Sequence, residues 1–495
     1  MNNFYGQKTG LFTDLYQLTM AYGYWKAGKD RNEAVFNLFF RACPFGGAYA
    51  LACGLETAVS YIDDFGFSEN DLAYLSSLKD NAGWKLFEDE FLDYLADLSL
   101  ECDVYAMPEG CLAFPLEPLI RVKGPLLHCQ LLETMLLNII NFQTLIATKA
   151  ARICSVADGP VMEFGMRRAQ GNDGALSASR AAYIGGCAGT SHVHAGKLFD
   201  IPVKGTHAHS WVMAFDTEKE AFESYTEAMS ENSILLVDTY ETVEGVITAA
   251  EVGRQMKAQG KKLAGIRLDS GDFDELSRKS RKILDENGLN DCMIIASGNL
   301  DEYLIEELVN AGAPIDVWGV GTRLVTGYNE GALDGVYKMT ALKNEKGQWI
   351  EKMKLSDDPS KSTFGGIHQV RRFKRSGKIC GDIIYDERIG CAGKSMMTNG
   401  GEEYNSVDFE DLLVPIFING RKVYKNPLID QIRDVACKNL EVLPDSCRML
   451  KDPNLYPLYW EENLAQINWN IAENIIKKIR KNDNAKSSYN NRSPE

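Results

Sequence analysis

The stretch 263-LAGIRLDSGD-272 decides the fold. It is an apolar run with Arg267 set inside it, and it stops abruptly in Asp269, Ser270, Gly271 and Asp272. Strands of a parallel sheet are covered by helices on both faces, so they read as apolar runs that end in turn residues. The same texture recurs at 234-ILLVDTY-240, 292-CMIIASGN-299 and 315-IDVWGVGT-322. The first three runs are followed by good helix formers, as in 245-GVITAAEVGRQMKAQG-260, which gives a βα rhythm. Four such units predict a (β/α) barrel or a doubly wound sheet. The barrel is preferred, because polar residues gather at every strand's carboxyl end, where barrel active sites lie.

Those ends deliver Asp238, then Arg267, Asp269, Ser270, Gly271 and Asp272. Ser297, Gly298 and Asn299 follow, and then Gly319, Gly321 and Thr322. Taken singly, each is a turn between strand and helix. In register they suit a ligand, since glycines let the backbone approach an anion and the last barrel strands commonly hold a phosphate. Carboxylates on the earlier strands suit sugar hydroxyls or a bound Mg²⁺. The pattern points to a phosphorylated sugar.

The chain has 495 residues, 45% of them hydrophobic, and a net charge of −16. That balance argues against nucleic acid, which requires a basic face. Twelve cysteines without a CxxC pair fit reduced thiols better than a disulfide framework or a zinc site. No basic-then-apolar signal opens the sequence. The most apolar segment, 131-LLETMLLNIINFQTLIA-147, is interrupted by polar residues and reads as a core helix, not a membrane span. A cytoplasmic protein is expected.

Residues 1–150 mix helices and strands, including a helix from Asp14 that Thr13 can cap and a strand at 34-AVFNLFFR-41. Residues 151–335 hold the βα units. Residues 336–480 return to strands and helices that join the N-terminal part, and 481–495 reads as a disordered tail.

Two histidines stand in 205-GTHAHSW-211. Residues two apart share a face only on a strand. A metal pair, a base, a nucleophile and a structural histidine are all open readings. No HExxH or paired-cysteine pattern supports zinc. The segment 390-GCAGKS-395 fails as a phosphate loop, because Arg388 stands where its first glycine belongs.

Read together and in order, 13-TDLYQLTM-20, 163-EFGMRRAQG-171, 205-GTHAHSW-211, 266-IRLDSGD-272, 296-ASGNLDE-302, 319-GVGTRLVT-326 and 412-LLVPIFINGRKV-423 resemble the nicotinate phosphoribosyltransferase family. The resemblance runs from about residue 10 to 440. It implies an irregular (β/α) barrel of the type II phosphoribosyltransferase kind, with a second α+β domain built from the N- and C-terminal segments. It also implies transfer of a phosphoribosyl group from phosphoribosyl pyrophosphate to nicotinate, coupled to ATP, in a homodimer with shared sites.

By the same resemblance His209 becomes phosphorylated by ATP, a role for which a neutral imidazole is chemically competent. His207 has no such role and is expected to be packed or hydrogen-bonded. Tyr16 resembles the aromatic that stacks on nicotinate from the neighbouring subunit, with Asp14 in support. Phe164 forms the other face of the slot, and Arg167 faces the phosphosugar or the substrate carboxylate. Ser191 and Thr206 lie near the ring substituent, and Arg267 contacts nicotinate or the product phosphate. Asp238 and Asp269 flank the ribose. Ser297, Gly298, Gly319, Gly321 and Thr322 form the 5′-phosphate cradle. Mg²⁺ is expected mainly through substrate phosphates. The pattern departs from the family at Gly365-Gly366 and His368, where Pro-Gly and Lys are usual. The alternatives are a nicotinamide- or quinolinate-type transferase, or an inactive ligand-binding relative.

Overall fold

The computed structural model describes residues 8–356, 361–391 and 408–490, with side chains described up to 477. Most of 390-GCAGKS-395 therefore lies outside the described residues, as does the end of the 481–495 tail.

The four apolar runs are strands, Ile234–Leu236, Gly265–Leu268, Met293–Gly298 and Val317–Val320. Two short strands that the sequence reading did not single out, Val161–Glu163 and Gly189–Thr190, complete a six-stranded sheet. Its order runs Gly189–Thr190, Val161–Glu163, Val317–Val320, Met293–Gly298, Gly265–Leu268, Ile234–Leu236, and every pairing is parallel. All six carboxyl ends consequently open on one edge. The helices Thr242–Ala258, Phe273–Glu286 and Glu302–Ala311 follow three of the strands. Strand-end acids start two of these helices: Asp272 accepts from the Glu275 amide at 3.1 Å and Asp301 from the Leu304 amide at 3.0 Å. Each satisfies an amide that the helix's own ladder leaves open. Asp272 is thus occupied as a cap.

The outer strands of this sheet do not pair with each other directly. The extended segment after Ile201 lies against one edge, with Val203 bridging to Thr190. From the same segment His207 Nε2 accepts the Leu236 amide of the other edge at 3.1 Å. The stretch 205-GTHAHSW-211 is therefore a crossing loop that ends in the short helix His209–Val212, not a strand. Its two histidines serve different neighbours.

A second sheet of seven antiparallel strands has the order Trp349–Glu351, Gly335–Lys343, Glu33–Phe40, Ile120–Pro125, Asp103–Ala106, Val414–Ile418, Arg421–Lys422. It draws on chain from both sides of the parallel sheet. A four-stranded sheet beside it contains His368–Arg375 and Lys378–Asp386. The helical run Leu126–Val156 is long and apolar enough to cross a membrane by composition, but 67% of its most apolar window is buried inside the protein. Leu126 to Leu145 pack in the core of the antiparallel sheet, and Ile146 to Ile153 in that of the parallel one. One helix thus threads two cores.

Two local expectations need correction. The first helix is Leu15–Lys26, so Asp14 rather than Thr13 holds the capping position. The Asp14 carboxylate does not cap, because it takes the Thr134 hydroxyl at 3.0 Å instead. Helix Glu462–Asn490 continues into the stretch expected to be disordered. Extending a nucleated helix costs far less than starting one, which lets a polar sequence follow an amphipathic one. The Gly365-Gly366 turn is held on both sides. Asn468 exchanges hydrogen bonds with the Gly365 amide and carbonyl at 2.6 and 3.0 Å, and the Gly366 amide donates to Thr340 at 2.9 Å.

Candidate active site

Arg267 leaves its strand towards the carboxyl edge with every arm engaged. Its Nε donates to Ser297 Oγ at 2.8 Å, one Nη to Thr206 Oγ1 at 2.6 Å and the other to Asp269 Oδ1 at 2.7 Å. Ser297 in turn donates to Asp269 Oδ1 at 2.5 Å. Burial pushes the Asp269 carboxyl up, but Ser297 and the Arg267 guanidinium outweigh it and hold the group below its ordinary value. An ionised acid and a fixed guanidinium therefore stand side by side.

A cavity of about 250 Å³ opens over this pair. Phe164, Arg167, Arg267, Asp269, Ser297, Gly298, Gly319, Gly321 and Thr322 all line it, together with Arg168 and Asn299. Nine of the residues expected from sequence thus share one cavity. Arg168 was overlooked as a site residue, although the doubled arginine of 163-EFGMRRAQG-171 was its signal. Both arginines come from the single turn Met166–Arg168. Three guanidiniums around so small a space suit a polyanion.

The glycines here have separate reasons. At Gly298 φ is +114°, a region L side chains avoid, and a Cβ would stand 2.5 Å from the Asp269 carbonyl oxygen. At Gly319 a Cβ would meet the Phe164 ring at 2.8 Å. The missing side chain of Gly319 is therefore where Phe164 sits. The phosphate-cradle reading had not foreseen this use.

Around the cavity the remaining residues form a second tier. Asp238 Oδ2 accepts the Asp269 amide at 3.1 Å and the Ser270 hydroxyl at 2.7 Å, while its Oδ1 is buried without a partner among the described residues. His209 Nδ1 lies 3.2 Å from the Thr239 hydroxyl, one residue beyond Asp238. Its other ring nitrogen has no hydrogen bond among the described residues. His207, by contrast, is buried, and burial pushes its imidazole down to about 4. Ser191 stands at the end of the Gly189–Thr190 strand, its amide donating to the Glu163 carbonyl at 2.9 Å. Glu218 was also missed: burial, and then the charge of Asp238, push it up to about 7.

Tyr16 and Asp14 are not brought to the cavity within one chain. They lie at the start of the first helix, Asp14 just before it, beside Thr134 and Glu133, and Tyr16 is 47% exposed.

A parallel α/β sheet with a cationic, glycine-lined cavity at its carboxyl edge defines an enzyme that handles a phosphorylated ligand. Comparison with known proteins narrows the class. Models described as the N-terminal domain, the family and the C-terminal domain of nicotinate phosphoribosyltransferase match residues 11–141, 160–383 and 368–468. The Bacillus subtilis (strain 168) nicotinate phosphoribosyltransferase is 42% identical, over 92% of this chain and 93% of its own. The Homo sapiens protein of that name is 34% identical, over 92% and 95%. The crystal structure of human nicotinic acid phosphoribosyltransferase superposes with a TM-score of 0.80 at 30% identity, covering 92% of this chain and 99% of that one. A nicotinate-nucleotide pyrophosphorylase from Pyrococcus furiosus shares the fold, with a TM-score of 0.69 at 23% identity over 89% of this chain and 97% of its own. The chain belongs to the nicotinate phosphoribosyltransferase family, and is an enzyme of that kind.

Proposed function

We propose that the chain transfers the phosphoribosyl group of phosphoribosyl pyrophosphate to nicotinate, giving nicotinate mononucleotide and pyrophosphate for NAD synthesis, and that ATP drives the transfer through a phosphorylated His209. One observation carries the reading. Hydrogen bonds run without a break from Thr206, in the histidine segment, through Arg267 to Ser297 and Asp269 at the cavity. His209 itself bonds Thr239, next to Asp238, and its imidazole acts on the Asp269 carboxyl through space, so a charge placed on it bears on the groups that grip the sugar.

The chemistry follows from charge. The C1–O bond breaks with its electron pair leaving on pyrophosphate, and the pyridine nitrogen supplies the pair for the new C1–N bond. No protein base is needed. Asp238 and Asp269 offset the positive charge that develops on the ribosyl centre. Arg167, Arg168 and Arg267 hold phosphate and the nicotinate carboxylate, with Ser297, Gly298, Gly321 and Thr322 around the 5′-phosphate. Phe164 supplies one face of the base slot, and uncharged Ser191 leaves that slot open to an acid rather than an amide. Among the described residues no group of three or more His, Cys, Asp or Glu side chains could cage a metal. Mg²⁺ is held mainly by substrate phosphates, and the unpartnered Oδ1 of Asp238 is the protein atom that could meet it. When bound, Mg²⁺ would neutralise the leaving pyrophosphate.

The parallel sheet is read as an irregular (β/α) barrel of the type II phosphoribosyltransferase kind, over residues 151–335, with the crossing loop of His207 filling its gap. Segments 1–150 and 336–480 make the second α+β domain. The enzyme works as a cytoplasmic homodimer. The exposed Leu15, Tyr16 and Met20 of the first helix form the face a second copy would cover, which would carry Tyr16 to the partner's Phe164.

Incubation with γ-labelled ATP and peptide mapping should find an acid-labile phosphate on His209. His209→Ala should abolish ATP stimulation, and unchanged stimulation would reject the phosphohistidine. Steady-state assays with nicotinate, nicotinamide and quinolinate test the base, and a preference for nicotinamide would overturn the assignment.

A further inference from the structure

Glu163 ends its strand one residue before Phe164, and its side chain is fully buried. Among the described residues no cation pairs with it. One carboxylate oxygen accepts the Gly165 amide. The other accepts the Ser179 hydroxyl at 2.9 Å and the Thr190 hydroxyl at 2.5 Å. Thr190 Oγ1 also accepts the His192 amide at 2.9 Å. The Glu163 carbonyl, meanwhile, accepts the Ser191 amide at 2.9 Å.

We propose that Glu163 is a positioning residue for the base slot, fixing Phe164 on one side and Ser191 on the other through a single buried carboxylate. The inference rests on the reading of those two residues as walls of the nicotinate site. Phe164 lies between two anchored points, the Glu163 backbone in its strand and the Gly165 amide on the Glu163 side chain. Neither point has slack. The Phe164 ring abuts Gly319, and a Cβ on Gly165 would stand 2.4 Å from Val325. Ser191 lies between Thr190, held by the same carboxylate, and His192, whose amide is held by Thr190. Losing the carboxylate strands the Gly165 amide and sends the Ser179 and Thr190 hydroxyls to their other acceptors, the Ala175 carbonyl and Ser179, so the backbone at both walls loses its shared anchor. The pocket around Arg267, Ser297 and Asp269 shares none of these bonds. Of the phosphosugar's contacts only Arg167 and Arg168, on the turn after Gly165, share this segment, so the effect should fall first on the base.

The test is a split in kinetic constants. Glu163→Gln keeps one acceptor oxygen but turns an amide donor towards the two hydroxyls. It should raise the nicotinate KM about 10-fold, the equivalent of one charged hydrogen bond. The KM for phosphoribosyl pyrophosphate and ATP hydrolysis without nicotinate should change by less than about 3-fold. Thr190→Val, which removes one donor to the carboxylate and the acceptor of the His192 amide but keeps the side chain's shape, should move the nicotinate KM in the same direction. It serves if Glu163→Gln does not fold. A parallel loss of nicotinate, phosphoribosyl pyrophosphate and ATP turnover would show a general structural role and overturn the proposal. Phe164→Ala separates the two levels. If it raises the nicotinate KM and the Glu163 and Thr190 variants do not, the positioning role alone fails. If Phe164→Ala leaves that KM unchanged, the slot itself is wrong.

Discussion

Two arginine–aspartate pairs in this molecule have the same chemistry and different fates. Arg372 and Asp382 lie between antiparallel strands, with side chains 3% and 0% exposed, joined at 2.5 Å. Tyr456 donates to the same carboxylate at 2.9 Å. Nearby Glu117, 3.9 Å from Arg372, is driven well above the ordinary carboxyl range by burial and then by Asp382. Arg267 and Asp269 are joined at 2.7 Å but 14% and 28% exposed, facing a cavity. The first pair is closed and the second open. A closed pair fixes structure, whereas an open one keeps capacity for a ligand.

The contrast is broken most severely by removing the closed cation. Arg372→Ala leaves Asp382 buried beside Glu117 and the Tyr456 phenol with no cation, and should cost about 3–5 kcal/mol of stability. Urea unfolding reads this, and a loss below about 1 kcal/mol would mean the pair is replaceable. Arg267→Ala should instead leave the unfolding midpoint nearly unchanged and lower kcat/KM by roughly 100- to 1,000-fold, the range for a lost electrostatic contact at a reacting centre. If Arg267→Ala unfolds the protein, the open pair is structural after all.

The same contrast explains what the sequence disclosed. The four strands of the βα units were visible because burial on both faces sets each within a longer apolar run that ends in turn residues. The cavity residues were visible because strand ends concentrate polar types in register. Val161–Glu163 ends in a charged residue and Gly189–Thr190 is two residues long, so neither lies in such a run. Arg168 was hidden behind Arg167, since two adjacent arginines look like one basic spot until a turn presents both. Glu218 was unreadable because only the folded chain brings a helix start to Asp238. The tight packing of Phe164 on Gly319 is a contact across the sheet, which no local pattern records.

The closed and open regions should also separate by pH. Burial pushes His128, His207 and His368 down to about 4 in the folded protein, against 6.5 ordinarily. The fold thus favours the neutral rings, while the unfolded chain takes up protons first. Their contribution is present above pH 6.5 and is lost as pH falls towards 4, by about 1–3 kcal/mol for each ring. Urea midpoints measured between pH 7.5 and 4.5 should fall steadily. His207→Gln should flatten the profile by its share, and a profile identical to the parent's would show that His207 titrates normally.

Gly319 gives the smallest and most discriminating effect. From sequence it belonged to the phosphate cradle, yet in the fold its open side is filled by the Phe164 ring, 2.8 Å from where a Cβ would stand. The two uses predict different losses from Gly319→Ala. A ring can tilt away from a methyl group, so overpacking should cost about 1–2 kcal/mol, less than at Gly298, where the obstacle is a backbone oxygen and φ is left-handed. If the glycine serves the ring, the nicotinate KM should rise several-fold and the KM for phosphoribosyl pyrophosphate should hold. If it serves the phosphate, the order reverses. The second outcome would return Gly319 to the cradle and leave its close approach to Phe164 a matter of packing alone.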